Sequence, residues 1–178
     1  MATSLMCLTF KEPLLQLRLK EENMSTWLIG IFFSMDTITY TIASLTLNFI
    51  PEKKKNFPRI VAVGAFIFFF AMLLSAPVPY ILPDRVGIIA GGILVGGIGG
   101  ALINNNCVPA LTQILESSLT GDEQNLDLVK NNVSAINTGA FGLGSILGPI
   151  LASLLQALMD YRWAFTVTAF LVLLTAII

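Results

Sequence analysis

Asp36, Tyr40, Ser44 and Asn48 recur every four residues inside a mostly apolar run, Trp27 to Ile50. Residues four apart share one face of an α-helix. A carboxylate, a phenol, a hydroxyl and an amide on one face can hold a cation, exchange a proton and hydrogen-bond a polar solute. The setting makes Asp36 expensive. A carboxylate at the centre of a membrane span costs about 2.5–3.5 kcal/mol even on insertion scales. Asp36 therefore calls for a partner, water or a proton. Glu12 is the second carboxylate in an apolar setting, within Lys11-Glu12-Pro13. Its plain reading is a local pair with Lys11 where a helix is interrupted. Its functional reading is a second proton-exchanging group.

Further along stand Asn104, Asn105 and Asn106, with Pro109 after them, and then Asn137 and Thr138. Their amides and hydroxyls can line a path for many solutes, or can simply join helices. Gly92, Gly96 and Gly100 form a small-xxx-small stripe leading to Asn104, and Ala140, Gly144, Gly148 and Ala152 form another. Such stripes let helix backbones approach closely. The chain has no histidine, which removes the commonest general base, proton shuttle and metal ligand. Cys7 and Cys107 are far apart and suggest neither a disulfide framework nor a metal site. They read as packing residues. No enzyme, metal centre, cofactor or nucleic-acid partner is expected.

These residues need helices to carry them through a bilayer. Of 178 residues, 55% are hydrophobic and 12% charged, against roughly 25% charged in a soluble domain. Mean hydropathy is +0.80. The charges cluster: between Ile60 and Leu115 only Asp84 and Arg85 occur. A span needs about 20 mostly apolar residues. Four full spans are expected, Ser25–Ile50, Arg59–Leu82, Val86–Leu115 and Asn132–Met159. Partial ones flank them. Met1–Leu19, interrupted at Lys11, Glu12 and Pro13, reads as the end of a span, and Trp163–Ile178 as the start of one. The whole of 1–178 reads as a single multi-pass transmembrane domain, cropped at both ends and without a signal peptide. Its obligatory partner is the lipid bilayer.

The loop 51–59, PEKKKNFPR, carries Lys53, Lys54, Lys55 and Arg59. Short loops rich in Lys and Arg stay cytoplasmic. Alternation places the acidic loop 116–132 in the cytoplasm as well. The second and last spans have almost no polar side chain beyond Ser and Thr, so lipid can surround them. The first, third and fourth are expected to line a central path.

Several motifs together resemble the C-terminal half of a major facilitator superfamily transporter, and within it the vesicular amine and polyamine transporter family. Phe10-Lys11-Glu12-Pro13-Leu14 is similar to that family's F-x-E-P-x segment in the seventh helix. Gly30-Ile31-Phe32-Phe33 resembles the start of the eighth. Ala76-Pro77-Val78-Pro79 resembles the loop after the ninth, and Pro109 to Leu115 the end of the tenth. Gly144-Ser145-Ile146-Leu147-Gly148-Pro149 resembles the antiporter G-x-x-x-G-P motif in the eleventh. Tyr161-Arg162-Trp163-Ala164-Phe165 resembles the start of the twelfth. The R-x-x-Q-G motif of an N-terminal half's fourth helix does not occur in the third full span.

There are departures. Asn48 stands where the loop motif has glycine, Glu52 where it has aspartate, and Lys53–Lys55 keep its basic residues. After Gly148-Pro149, Ala152-Ser153 replace Gly-Gly. Asn104 and Thr138 stand where the monoamine branch has aspartates, and Gln113 replaces an acidic residue of the polyamine-like branch. The family has no matching carboxylate at Asp36.

The resemblance implies an all-α membrane fold, half of a twelve-helix bundle whose two halves rock about a midplane site. It implies a secondary transporter of a small, cationic organic solute, working by alternating access and proton antiport. Asp36 and Glu12 are the candidate proton-coupling residues. Tyr40, Ser44, Asn104, Asn105, Asn137 and Thr138 are the candidates for the substrate path. The partners would be protons, the solute, and the N-terminal half of the transporter or a second copy. The alternative is a half-length membrane protein with a structural or assembly role.

Overall fold

The computed structural model describes residues 2–49, 56–76, 85–118 and 123–177, with side chains for 6–49, 56–76, 85–115 and 131–174. It has the helices α1 (Ala2–Glu21), α2 (Thr26–Asn48), α3 (Phe57–Ser75), α4 (Val86–Ser118), α5 (Glu123–Leu158) and α6 (Tyr161–Ile177). Four segments are long and apolar enough to cross a membrane: Thr26–Asn48, Phe57–Ser75, Val86–Leu115 and Asn131–Leu158. The chain is an integral, multi-pass, all-α membrane protein.

The interruption expected at Lys11-Glu12-Pro13 does not break α1, which runs on through Pro13. Pro13 withholds only the N–H that would bond the Thr9 carbonyl. Packing on both sides outweighs that loss: Cys7, Phe10 and Leu14 are buried in one apolar cluster, and Leu15 and Leu19 in a second on another face. α1 packs against α5 and α6. Phe10 meets Phe165 edge-on, with ring centroids 5.7 Å apart.

α3 ends at Ser75, and residues 77–82 of the expected second span lie outside the described residues. Ala76 is extended, φ −134° and ψ 90°, as expected of a residue preceding a proline, here Pro77. At its other end α3 is capped by Asn56, whose side chain accepts from the Arg59 N–H. Residues Glu123 to Asn132, read as part of an acidic loop, are the first turns of α5. That stretch has no Gly or Pro, and its Glu, Gln, Leu and Lys favour helix.

α3 and α4 form the most extensive helix pair, α2 rests on α4, and α3 on α6. A Cβ on Gly99 would lie 2.8 Å from the Phe68 backbone nitrogen. The expectation that α3 and α6 could face lipid all round does not hold. Phe68 and Met72 of α3 and Phe165 and Ala169 of α6 join one buried cluster with α1. The outer faces of both helices do carry exposed apolar residues, including Phe70 and Phe170. Hydropathy cannot separate these cases, since an apolar side chain is equally at home against lipid or protein.

Candidate functional site

Lys11 lies ten residues before the end of α1 at Glu21, and Asp36 ten residues after the start of α2 at Thr26. At 1.5 Å per residue both sit about 15 Å from the α1–α2 turn. That is half of a hydrocarbon core about 30 Å thick. The two side chains meet at this common depth. Lys11 Nζ donates to Asp36 Oδ2 at 2.7 Å. The Lys11 side chain is 5% exposed and that of Asp36 21%. The partner that Asp36 requires is thus a cation from the neighbouring helix. The local Lys11–Glu12 pair is not formed.

A bare stretch of α4 backs the ion pair. A Cβ on Gly96 would stand 3.6 Å from Lys11 Nζ and 3.7 Å from Asp36 Oδ1. Asp36 Oδ1 is buried with no hydrogen-bond partner among the described residues. The pair is neutral overall but retains an open acceptor. One residue on, a Cβ at Gly97 would collide with the Thr39 hydroxyl and lie 2.6 Å from the Asp36 carbonyl oxygen. Only glycine permits α2 this close to α4. The tight approaches thus include Gly97 and Gly99 as well as Gly92 of the expected stripe, while Gly96 and Gly100 make ordinary contacts.

That close approach assembles the next layer. The Tyr40 hydroxyl donates to Asn105 Oδ1 at 3.2 Å, and Asn105 Nδ2 donates to Ser44 Oγ at 2.7 Å. Ser44 Oγ in turn donates to the Tyr40 carbonyl at 2.8 Å. The circuit ties α2 to α4, and Asn105 is exposed, so a solute can compete for it. Asn104 is half-buried alongside. Asn106 is buried and donates to the Leu102 carbonyl of its own helix at 2.9 Å, a structural role. Pro109 also leaves the Asn105 carbonyl without its usual helical donor.

Glu12 is exposed and opens into a cleft of about 460 Å³. Thr9, Pro13, Gln16, Phe33 and Pro149 complete the lining. Pro13 and Pro149 each withhold a backbone N–H, from the carbonyls of Thr9 and Ser145. The cleft thus lies where two helices have spare acceptors. The stripe on α5 faces α1: the Thr9 hydroxyl donates to the Gly144 carbonyl at 3.2 Å, and a Cβ on Gly148 would lie 2.7 Å from the Met6 carbonyl oxygen.

Two predicted path residues stand apart. Asn137 is half-buried on α5, while Thr138 is exposed and donates to the Ser134 carbonyl of its own helix at 3.0 Å. The Tyr40 circuit does not reach them. Glu52, Lys53, Lys54 and Lys55 lie outside the described residues. Lys11 is the member that sequence reasoning passed over, as a mere interruption of a span. The available signal was a lysine and an aspartate, each within an apolar stretch of successive helices.

No protein-family model matches the chain. Over 174 residues, 96% of its length, it is 20% identical to the MFS-type transporter SLC18B1 of Rattus norvegicus. Over 162 residues, 89% of its length, it is 22% identical to the MFS-type transporter SLC18B1 of Homo sapiens. These stretches are 38% and 35% of the two relatives. The chain thus spans a little over a third of the length of the curated relatives it matches. It is a transporter-like membrane protein, and its helices are consistent with half of a major-facilitator bundle.

Proposed function

We propose that this chain forms the C-terminal half of a major-facilitator secondary transporter, most like the vesicular amine and polyamine transporters. It moves a small cationic organic solute by alternating access, driven by proton antiport. The observation that carries this reading is the Lys11–Asp36 pair at mid-depth, adjoining the Tyr40–Asn105–Ser44 circuit. Intramembrane ionisable groups are rare and mark ion or substrate pathways.

In this mechanism Lys11 occupies the carboxylate while the site is empty. A cationic solute displaces the ammonium from Asp36 and hydrogen-bonds to Tyr40 and Asn105. A proton taken up by Asp36 discharges the carboxylate and releases the solute. Glu12 stands at the neighbouring cleft as a second proton-exchanging group. The N-terminal half of the transporter, or a second copy, closes the other side of the path.

Reconstituted vesicles of the complete protein provide the test. With an imposed proton gradient, Asp36→Asn is expected to lower proton-driven uptake of amines at least tenfold while passive exchange persists. Unchanged coupling in Asp36→Asn would remove Asp36 from the mechanism.

A further inference from the structure

A second concavity lies on a different face of α2 from the polar circuit. Ile42 and Leu47 of α2 and Ile98 and Leu102 of α4 bound a hollow of about 340 Å³. Leu47 and Leu102 also belong to a hollow of about 280 Å³ whose far wall is Arg59, Ile60 and Val63 of α3. The two form one groove between α2 and α3, floored by α4. Asp36, Tyr40, Ser44 and Asn105 do not line it.

The groove is apolar despite two threonines on its wall. Thr39 Oγ1 donates to the Met35 carbonyl at 2.9 Å, and Thr46 Oγ1 to the Ile42 carbonyl at 2.8 Å. Both hydroxyls are satisfied by their own helix. Arg59 alone brings charge, at the end of the groove where α3 begins. The lining around it is apolar, and an arginine there can lay its methylene stem on the wall and reach outward with its charged head. Arg59 is exposed and has no ion-pair partner among the described residues.

We infer that this groove holds one acyl chain of an anionic phospholipid, whose charged headgroup pairs with Arg59. Three features select that occupant. The groove is apolar and lies between helices long and apolar enough to cross a membrane. Apart from Arg59, its lining side chains leave no unsatisfied hydrogen-bonding group for a peptide. Its one charge is a cation at the end adjoining the sequence Lys53-Lys54-Lys55, the side assigned to the anionic cytoplasmic leaflet. An acyl chain gains little by leaving one apolar medium for another. Selectivity therefore rests on the headgroup, and one basic residue near the surface corresponds to about a fivefold preference.

The test uses the full chain in nanodiscs of equal parts phosphatidylcholine and phosphatidylserine. Native mass spectrometry counts the lipid retained after detergent release. Wild type is expected to retain phosphatidylserine over phosphatidylcholine by about fivefold. Arg59→Gln should abolish the preference and Arg59→Lys should largely keep it. Ala43→Trp, which fills the groove without touching charge, should lower retention of both lipids. Tryptophan fluorescence checks that each variant is folded. Should Arg59→Gln misfold, Arg59→Lys and Ala43→Trp still decide. Equal retention of the two lipids by wild type would overturn the inference. So would full retention by folded Ala43→Trp, or a photo-crosslinker at residue 43 capturing polypeptide instead of lipid.

Discussion

Replacing Asp36 with asparagine strips the charge from one end of a buried pair and leaves the other in place. At 2.7 Å, two unit charges attract by about 6 kcal/mol in an effective dielectric of 20. Withdrawing each ion from water costs several kcal/mol, so the intact pair contributes little net stability. The imbalance appears when one member goes. Breaking a buried pair from one side typically destabilises by about 3–5 kcal/mol. The structure adds a direction to this. Lys11 is 5% exposed and Asp36 21%, so an orphaned lysine has the poorer access to water. Asp36→Asn should therefore cost about 3 kcal/mol or more, and Lys11→Met less. The double variant carries no charge and should fall within about 1 kcal/mol of wild type. Unfolding from mixed micelles, followed by the two tryptophans, Trp27 and Trp163, gives all four corners of the cycle. A double variant whose cost is the simple sum of the single costs would refute charge compensation between the two helices.

The remaining predictions concern how α2 is held. Gly97→Val should drive α2 away from α4, since the added carbons meet the Thr39 hydroxyl and the Asp36 carbonyl; a loss of about 1–3 kcal/mol is expected in the same unfolding assay. Gly87→Val, whose Cβ would meet nothing within 4 Å, is the control for helix propensity, and an equal loss there would dismiss the close-approach argument. Tyr40→Phe removes the interhelical hydrogen bond to Asn105 and should cost only about 0.6 kcal/mol of stability. Its effect on solute uptake should be larger than that, measured as a raised KM; an unchanged KM would exclude the Tyr40 hydroxyl from the path.

The membrane class, the four full spans and the polar face of α2 were legible in the sequence. Each follows from local composition and from a period that any helix imposes. A carboxylate every turn or so from a phenol, a hydroxyl and an amide must share a face with them. Lipid, as solvent, demands that such a face turn inward. The course of α1 was not legible, because Pro13 and two adjacent charges look like a break. It is packing on α5 and α6, invisible in the local sequence, that keeps the helix intact. Nor was the burial of α3 legible, because an apolar side chain meets lipid or protein on equal terms. The partner of Asp36 was hidden for a third reason. Lys11 is 25 residues away in sequence, and helix periodicity relates only residues on the same helix. The apolar stretch Trp27–Ile50 requires that its carboxylate, Asp36, be neutralised. The turn that folds α1 back along α2, and the bare glycine backbone of α4 behind them, decide that Lys11 neutralises it.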